Sequence, residues 1–96
     1  EINVDVNAPL TYNLEQNYPN PFNPSTLIKY SVAKDGFVNV SIFNLLGEKV
    51  ATLVNNNMKA GSYEINFNAS SLSSGIYFYS IDAGDFKAIK KMVLMK

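Results

Sequence analysis

Leu72-Ser73-Ser74-Gly75-Ile76-Tyr77-Phe78-Tyr79-Ser80-Ile81 is the stretch whose reading decides the fold. Its second half alternates, which places Tyr77, Tyr79 and Ile81 on one face of an extended chain and Ile76, Phe78 and Ser80 on the other. Its first half is a polar break closed by glycine. Leu72, Gly75 and Tyr77 stand at the spacing of a tyrosine corner, in which a tyrosine near the start of the penultimate strand of a sandwich turns its hydroxyl back onto upstream backbone. The other reading of Tyr77 is a core ring with its hydroxyl at the surface.

The same period of two recurs on both sides. Ile28, Tyr30 and Val32 alternate with Lys29 and Ser31 up to a turn at Lys34-Asp35-Gly36, and Val38, Val40 and Ile42 then alternate with outward Asn39 and Ser41. Asn44 through Gly47 is the next break. Lys49 to Val54 is rich in β-branched residues, and Asn55-Asn56-Asn57 reads as a loop. Ala60-Gly61 opens a strand with Tyr63, Ile65 and Phe67 inward, and Ile76–Ile81 and Phe86–Met95 make a last hairpin around Asp82-Ala83-Gly84-Asp85. No window carries a helical period. Residues 1–17 read as a polar lead-in or linker ending in one short strand, where Leu10, Tyr12 and Leu14 alternate, and residues 18–96 as the domain. About seven short strands and no helix predict an all-β fold, and an immunoglobulin-like Greek-key β-sandwich suits the length best.

Composition sets the bounds. A chain of 96 residues has room for one core, and 47% hydrophobic against 17% charged residues, with six Tyr and six Phe, is unlike a disordered tail. Cysteine is absent, so stability rests on packing. Eight lysines balance eight acids, which argues against a nucleic-acid partner held by a general electrostatic field. No stretch approaches the roughly 18 apolar residues of a membrane span, and the N-terminus lacks the basic and apolar regions of a signal peptide. A soluble piece of a longer protein is expected.

Histidine, cysteine, tryptophan and arginine are all missing, so neither a Ser-His-Asp nor a Cys-His site can be built, and bidentate guanidinium recognition of phosphate is out of reach. No catalytic, cofactor-binding or metal-binding residue is assigned, and the chain is not expected to be an enzyme. Asp82 and Asp85 flank a hairpin turn with no apolar wall to raise either pKa, and read as turn residues. The charges are unevenly placed. Only acids precede Lys29, whereas four lysines (Lys87, Lys90, Lys91, Lys96) and no acid follow Phe86. This basic strip is either an edge strand guarded against edge-to-edge pairing or a docking surface.

Tyr18-Pro19-Asn20-Pro21-Phe22-Asn23-Pro24-Ser25-Thr26 is a rigid entry loop, since three prolines forbid helix and central strand. Leu45-Leu46-Gly47-Glu48-Lys49-Val50, Leu72 to Tyr77 and Lys90-Lys91-Met92-Val93-Leu94-Met95-Lys96 follow it in order. That ordered set resembles the type A C-terminal sorting domain of proteins exported by the bacterial type IX secretion system. The resemblance spans about Tyr18 to Lys96. It implies an immunoglobulin-like signal that directs an N-terminal cargo across the outer membrane, with the translocon and its shuttle components as partners and a cell-surface sortase-like peptidase that removes it. It further implies export through the periplasm to the cell surface or the medium. The matching recognition elements are Tyr18, Pro19, Asn20 and Pro21 at the entry, Gly47, Glu48 and Val50 in the middle, Gly75 and Tyr77 at the corner, and Lys90, Lys91, Val93 and Lys96 at the end. Relatives commonly carry Arg where this chain has Lys49 or Lys90, which keeps the charge and loses the fork. If its last strand ends with the chain, its outward lysines and free edge would be left readable.

Two other classes compete. The immunoglobulin-like domain of the flagellar hook-capping protein resembles the Pro-Asn-Pro-Phe entry, but usually has a longer, Trp- and Gly-bearing insertion where this chain has only Phe67 to Leu72. A carbohydrate-binding accessory domain of a secreted hydrolase would need an exposed aromatic platform, for which Phe22, Phe43 and Phe86 are the candidates.

Overall fold

The computed structural model describes residues 11–96 and contains seven strands there, with no helix among the described residues. They are β1 (Asn13–Leu14), β2 (Ser25–Val32), β3 (Gly36–Phe43), β4 (Lys49–Met58), β5 (Gly61–Asn68), β6 (Gly75–Ala83) and β7 (Phe86–Leu94). Two antiparallel sheets result, ordered β1-β2-β5 and β4-β3-β6-β7. The chain changes sheet between β2 and β3, between β4 and β5, and between β5 and β6, which makes a sandwich of the expected immunoglobulin type.

One-sided burial explains why the strands form where the alternation predicts them. Ile28, Tyr30 and Val32 from one sheet meet Val38, Val40, Ile42, Tyr77, Tyr79 and Ile81 from the other, and all are buried. A register slip of one residue would expose each set, so the pairing is strongly specified. Tyr30 and Tyr63 are register partners on β2 and β5 and stack at 5.4 Å. Burial, and secondarily the Tyr63 hydroxyl, pushes the Tyr30 pKa up. The β6–β7 hairpin closes tightly on Gly84-Asp85, between the paired Ala83 and Phe86. Gly84 has φ +60°, as the first central residue of a type II′ turn requires.

Several expectations need correction or completion. Asn55-Asn56-Asn57 is strand, not loop: β4 runs on to Met58, with Asn55 opposite Asn39 and Asn56 opposite Val38. The ladder to β3, with an Asn39 Nδ2 to Asn55 Oδ1 bond of 3.1 Å, overrides the poor strand propensity of asparagine. Ser41 points outward yet is fully buried, small between Thr52 and Ser80 on its two neighbouring strands, and its hydroxyl donates to Asn39 Oδ1 at 2.7 Å. Of the lead-in, Leu10 lies outside the described residues. Tyr12 stacks on Phe86 with ring centroids 5.3 Å apart, and Leu14 and Asn17 are buried in the sandwich.

Candidate functional site

Strand direction assembles the motifs. Gly75 at the start of β6 faces Leu94 at the end of β7, the end of β3 pairs with β6 at Phe43–Phe78, and Ser25 opens β2 opposite Asn68 at the end of β5. The entry loop, the β3–β4 turn, the β5–β6 corner and the chain's last residues therefore share one pole. Tyr12 lies at the opposite pole, where its hydroxyl is 3.7 Å from the position a Cβ on Gly84 would occupy.

At the first pole the proline loop folds over the edge of β7. Phe22, whose ring is buried at 2% exposure, bridges to β7 through its N–H on the Val93 carbonyl and the Met95 N–H on its own carbonyl, both at 2.9 Å. The Asn20 Oδ1 accepts from the Val93 N–H at 2.9 Å, and the Gln16 amide donates to the Lys91 carbonyl at 2.7 Å. The expectation of a free β7 edge is thereby corrected: its end is closed by the loop. The loop is itself anchored below. Asn17 Nδ2 donates to Thr26 Oγ1 at 2.9 Å and to the Pro19 carbonyl at 3.1 Å, and Thr26 donates to that same carbonyl at 2.9 Å. The Tyr79 hydroxyl, fully buried, accepts from the Asn17 N–H at 2.7 Å and donates to the Glu15 carbonyl at 2.6 Å. Burial drives its pKa up to about 12. Tyr18 is highly exposed and pairs backbone-to-backbone with Leu27, and Pro19 and Pro21 are exposed beside it.

The corner forms as the spacing predicts: the Tyr77 hydroxyl donates to the Ser73 carbonyl at 2.7 Å. Lys96 ties the chain's last residue to the same corner, its Nζ on the Ser70 carbonyl at 2.8 Å and its N–H on Ser74 Oγ at 3.1 Å. The basic strip is not one face. Lys90 opposes the buried Tyr79 and sits on the core side of β7 between Ala88 and Met92, half-buried, whereas Lys91 points outward with Val93. Adjacent residues on a strand must face opposite ways, and the apolar stem of Lys90 suits it to the margin of the core. Lys87 pairs with Asp82 at 3.0 Å on the exposed face.

Gly47 and Glu48 belong to a turn built by Asn44, a residue the motif comparison passed over. The Asn44 carboxamide oxygen accepts from the Leu46 N–H at 2.9 Å and the Glu48 N–H at 3.0 Å, and its amide donates to Glu48 Oε1 at 2.8 Å. Gly47 supplies φ +86° there, and Val50 follows it on β4 at the surface. The break read from Asn44 through Gly47 is this turn, with asparagine at its head and glycine near its end. Of the phenylalanines considered for a sugar platform, Phe22 is buried, Phe86 is half-buried and stacked on Tyr12, and Phe43 is half-buried at the edge of an open groove.

A family model described as the secretion system C-terminal sorting domain matches residues 16–95. The chain belongs to that family. It is a C-terminal sorting signal of type IX secretion, carried by a protein exported across the outer membrane. No curated protein and no solved structure matches it, so the family model carries the assignment together with the motif order. In the sorting domain the entry loop and the terminal strand, the two most separated motifs, are in direct contact through Asn20 and Val93.

Proposed function

We propose that this sorting domain is a non-catalytic address label read at the pole that gathers Tyr18, Pro19, Asn20, Pro21, Gly47, Glu48, Val50, Gly75, Tyr77, Lys91, Val93 and Lys96, with Lys90 at its margin. The Asn20–Val93 bond carries this reading, because it joins motifs 73 residues apart, so the surface they form exists only on the folded domain. The partners are the outer-membrane translocon and its shuttle components, followed by a sortase-like peptidase at the cell surface. The cargo is attached N-terminally, ahead of Tyr12, and Tyr12 itself lies at the pole opposite the recognition surface. The protein passes through the periplasm and ends at the surface or in the medium.

Fusion of the chain behind an unrelated periplasm-directed protein tests this in a host with the pathway. The fusion is expected outside the outer membrane, and a folded fusion that stays in the periplasm refutes the reading.

A further inference from the structure

The outer face of the four-stranded sheet carries a groove that the proposed recognition pole borders, through Gly47 and Lys91. Register places Lys49, Phe43, Phe78 and Lys91 in one row across β4, β3, β6 and β7. Beside that row, Phe43, Leu45, Phe78 and Ile89 line an open groove of about 360 Å³. Leu45 is 66% exposed, Leu46 84% and Ile89 63%. Scattered exposed apolar residues are ordinary, but here they are contiguous, and the Asn44 hydrogen bonds fix the turn that holds both leucines out in water. The rim is basic. Among the described residues the one ion pair is Lys87–Asp82, so neither Lys49 nor Lys91 has a carboxylate partner, and the nearby Glu48 carboxylate is engaged by Asn44.

We propose that this groove docks an extended, acidic–apolar segment of a partner protein, with one apolar side chain in the groove and carboxylates on Lys49 and Lys91. Three strand spacings of about 4.8 Å separate the two lysine positions by roughly 14 Å, and an extended chain rising about 3.3 Å per residue covers that in four residues. Residues i, i+2 and i+4 of an extended chain share a face, so the segment reads acid, any, apolar, any, acid. The chain's own segment with that acid spacing, Glu1-Ile2-Asn3-Val4-Asp5, has Asn at the position where the pattern calls for an apolar residue. A second copy presenting the same face would set lysine against lysine. The proposed occupant is a different protein. In taking it to be a component of the export apparatus, the proposal rests on the sorting reading above.

Two capped pentapeptides serve as probes, one with glutamate ends and a central leucine, the other with lysine ends. In an NMR titration the acidic probe is expected to shift Phe43, Leu45, Phe78 and Ile89, to bind at least tenfold more weakly to Lys49→Glu/Lys91→Glu, and to keep its affinity for Lys49→Arg/Lys91→Arg. Equal binding of both probes, or no groove shift at millimolar acidic peptide, overturns the proposal. In the export assay the double Glu variant is expected to lose at least tenfold in exported cargo, with Ile89→Ser as a second variant that removes apolar contact without charge. A wild-type fusion held in the periplasm sinks the sorting reading. A wild-type fusion exported alongside folded variants at the same level sinks the groove alone.

Discussion

Removing the Tyr79 hydroxyl separates the two tyrosines of β6 by magnitude. In Tyr77→Phe one bond to the Ser73 carbonyl is lost in a partly wet corner, at a cost of about 0.5–1.5 kcal/mol. In Tyr79→Phe two bonds of about 1 kcal/mol each are lost, and the Asn17 N–H, buried with the hydroxyl, is left without its acceptor, which adds on the order of 1–2 kcal/mol. The expected total is about 3–4 kcal/mol. At about 4–8 °C per kcal/mol for a domain of this size, that is a fall in Tm on the order of 12–32 °C. Urea titration measures both variants, and an unchanged slope would show that only stability moved. The same hydroxyl predicts a pH dependence. The folded pKa of about 12 lies above the ordinary 10.0, so the folded state holds the proton more tightly. The stabilisation is complete below pH 10 and is lost as pH rises through about 12. The gap between wild type and Tyr79→Phe should therefore narrow across that window. A Tyr79→Phe cost no larger than that of Tyr77→Phe, or a gap constant from pH 9 to 12, would refute the argument.

Phe22→Ala is expected to cost about 3–5 kcal/mol, since the ring is buried, and faster hydrogen exchange at Met95 should accompany the loss. Gly47→Ala should cost about 1–2 kcal/mol by chemical denaturation, from the left-handed backbone alone, because no atom lies within 4 Å of the added Cβ. Leu46→Ser should move the denaturation midpoint by less than about 0.5 kcal/mol, because that side chain is already in water.

The sandwich was legible in the sequence because one-sided burial imposes a period of two, and Val38, Val40, Ile42, Tyr77, Tyr79 and Ile81 obey it. The corner was legible because its bond is local, spanning Ser73 to Tyr77. What failed depended on neighbours rather than on the segment itself. Asn55 to Asn57 have the composition of a loop and become strand only because β3 offers a ladder. The basic strip was read from composition, although alternation alone requires Lys90 and Lys91 to face apart. The Asn20–Val93 and Asn17–Tyr79 contacts have sequence separations of 73 and 62, and no local pattern announces them.

Those long-range contacts bear on what a partner would be reading. A linear signal could be recognised on an unfolded chain, by any receptor able to hold its residues in extended order. Here the entry loop that lies on β7 is tied through Asn17 to Tyr79 of β6, and Lys96 bonds the corner that the Tyr77 hydroxyl closes. In the proposed recognition pole the entry loop and Lys96 are thus held by elements distant in sequence, while the Gly47 turn and the Tyr77 corner close locally. On that proposal, a partner that tests for the pole tests at the same time for a completed sandwich. Tyr12 and Gly84 lie at the other pole, away from the residues of that surface. That separation would let one domain serve unrelated cargos, because the residues that make the address are positioned by the sandwich alone.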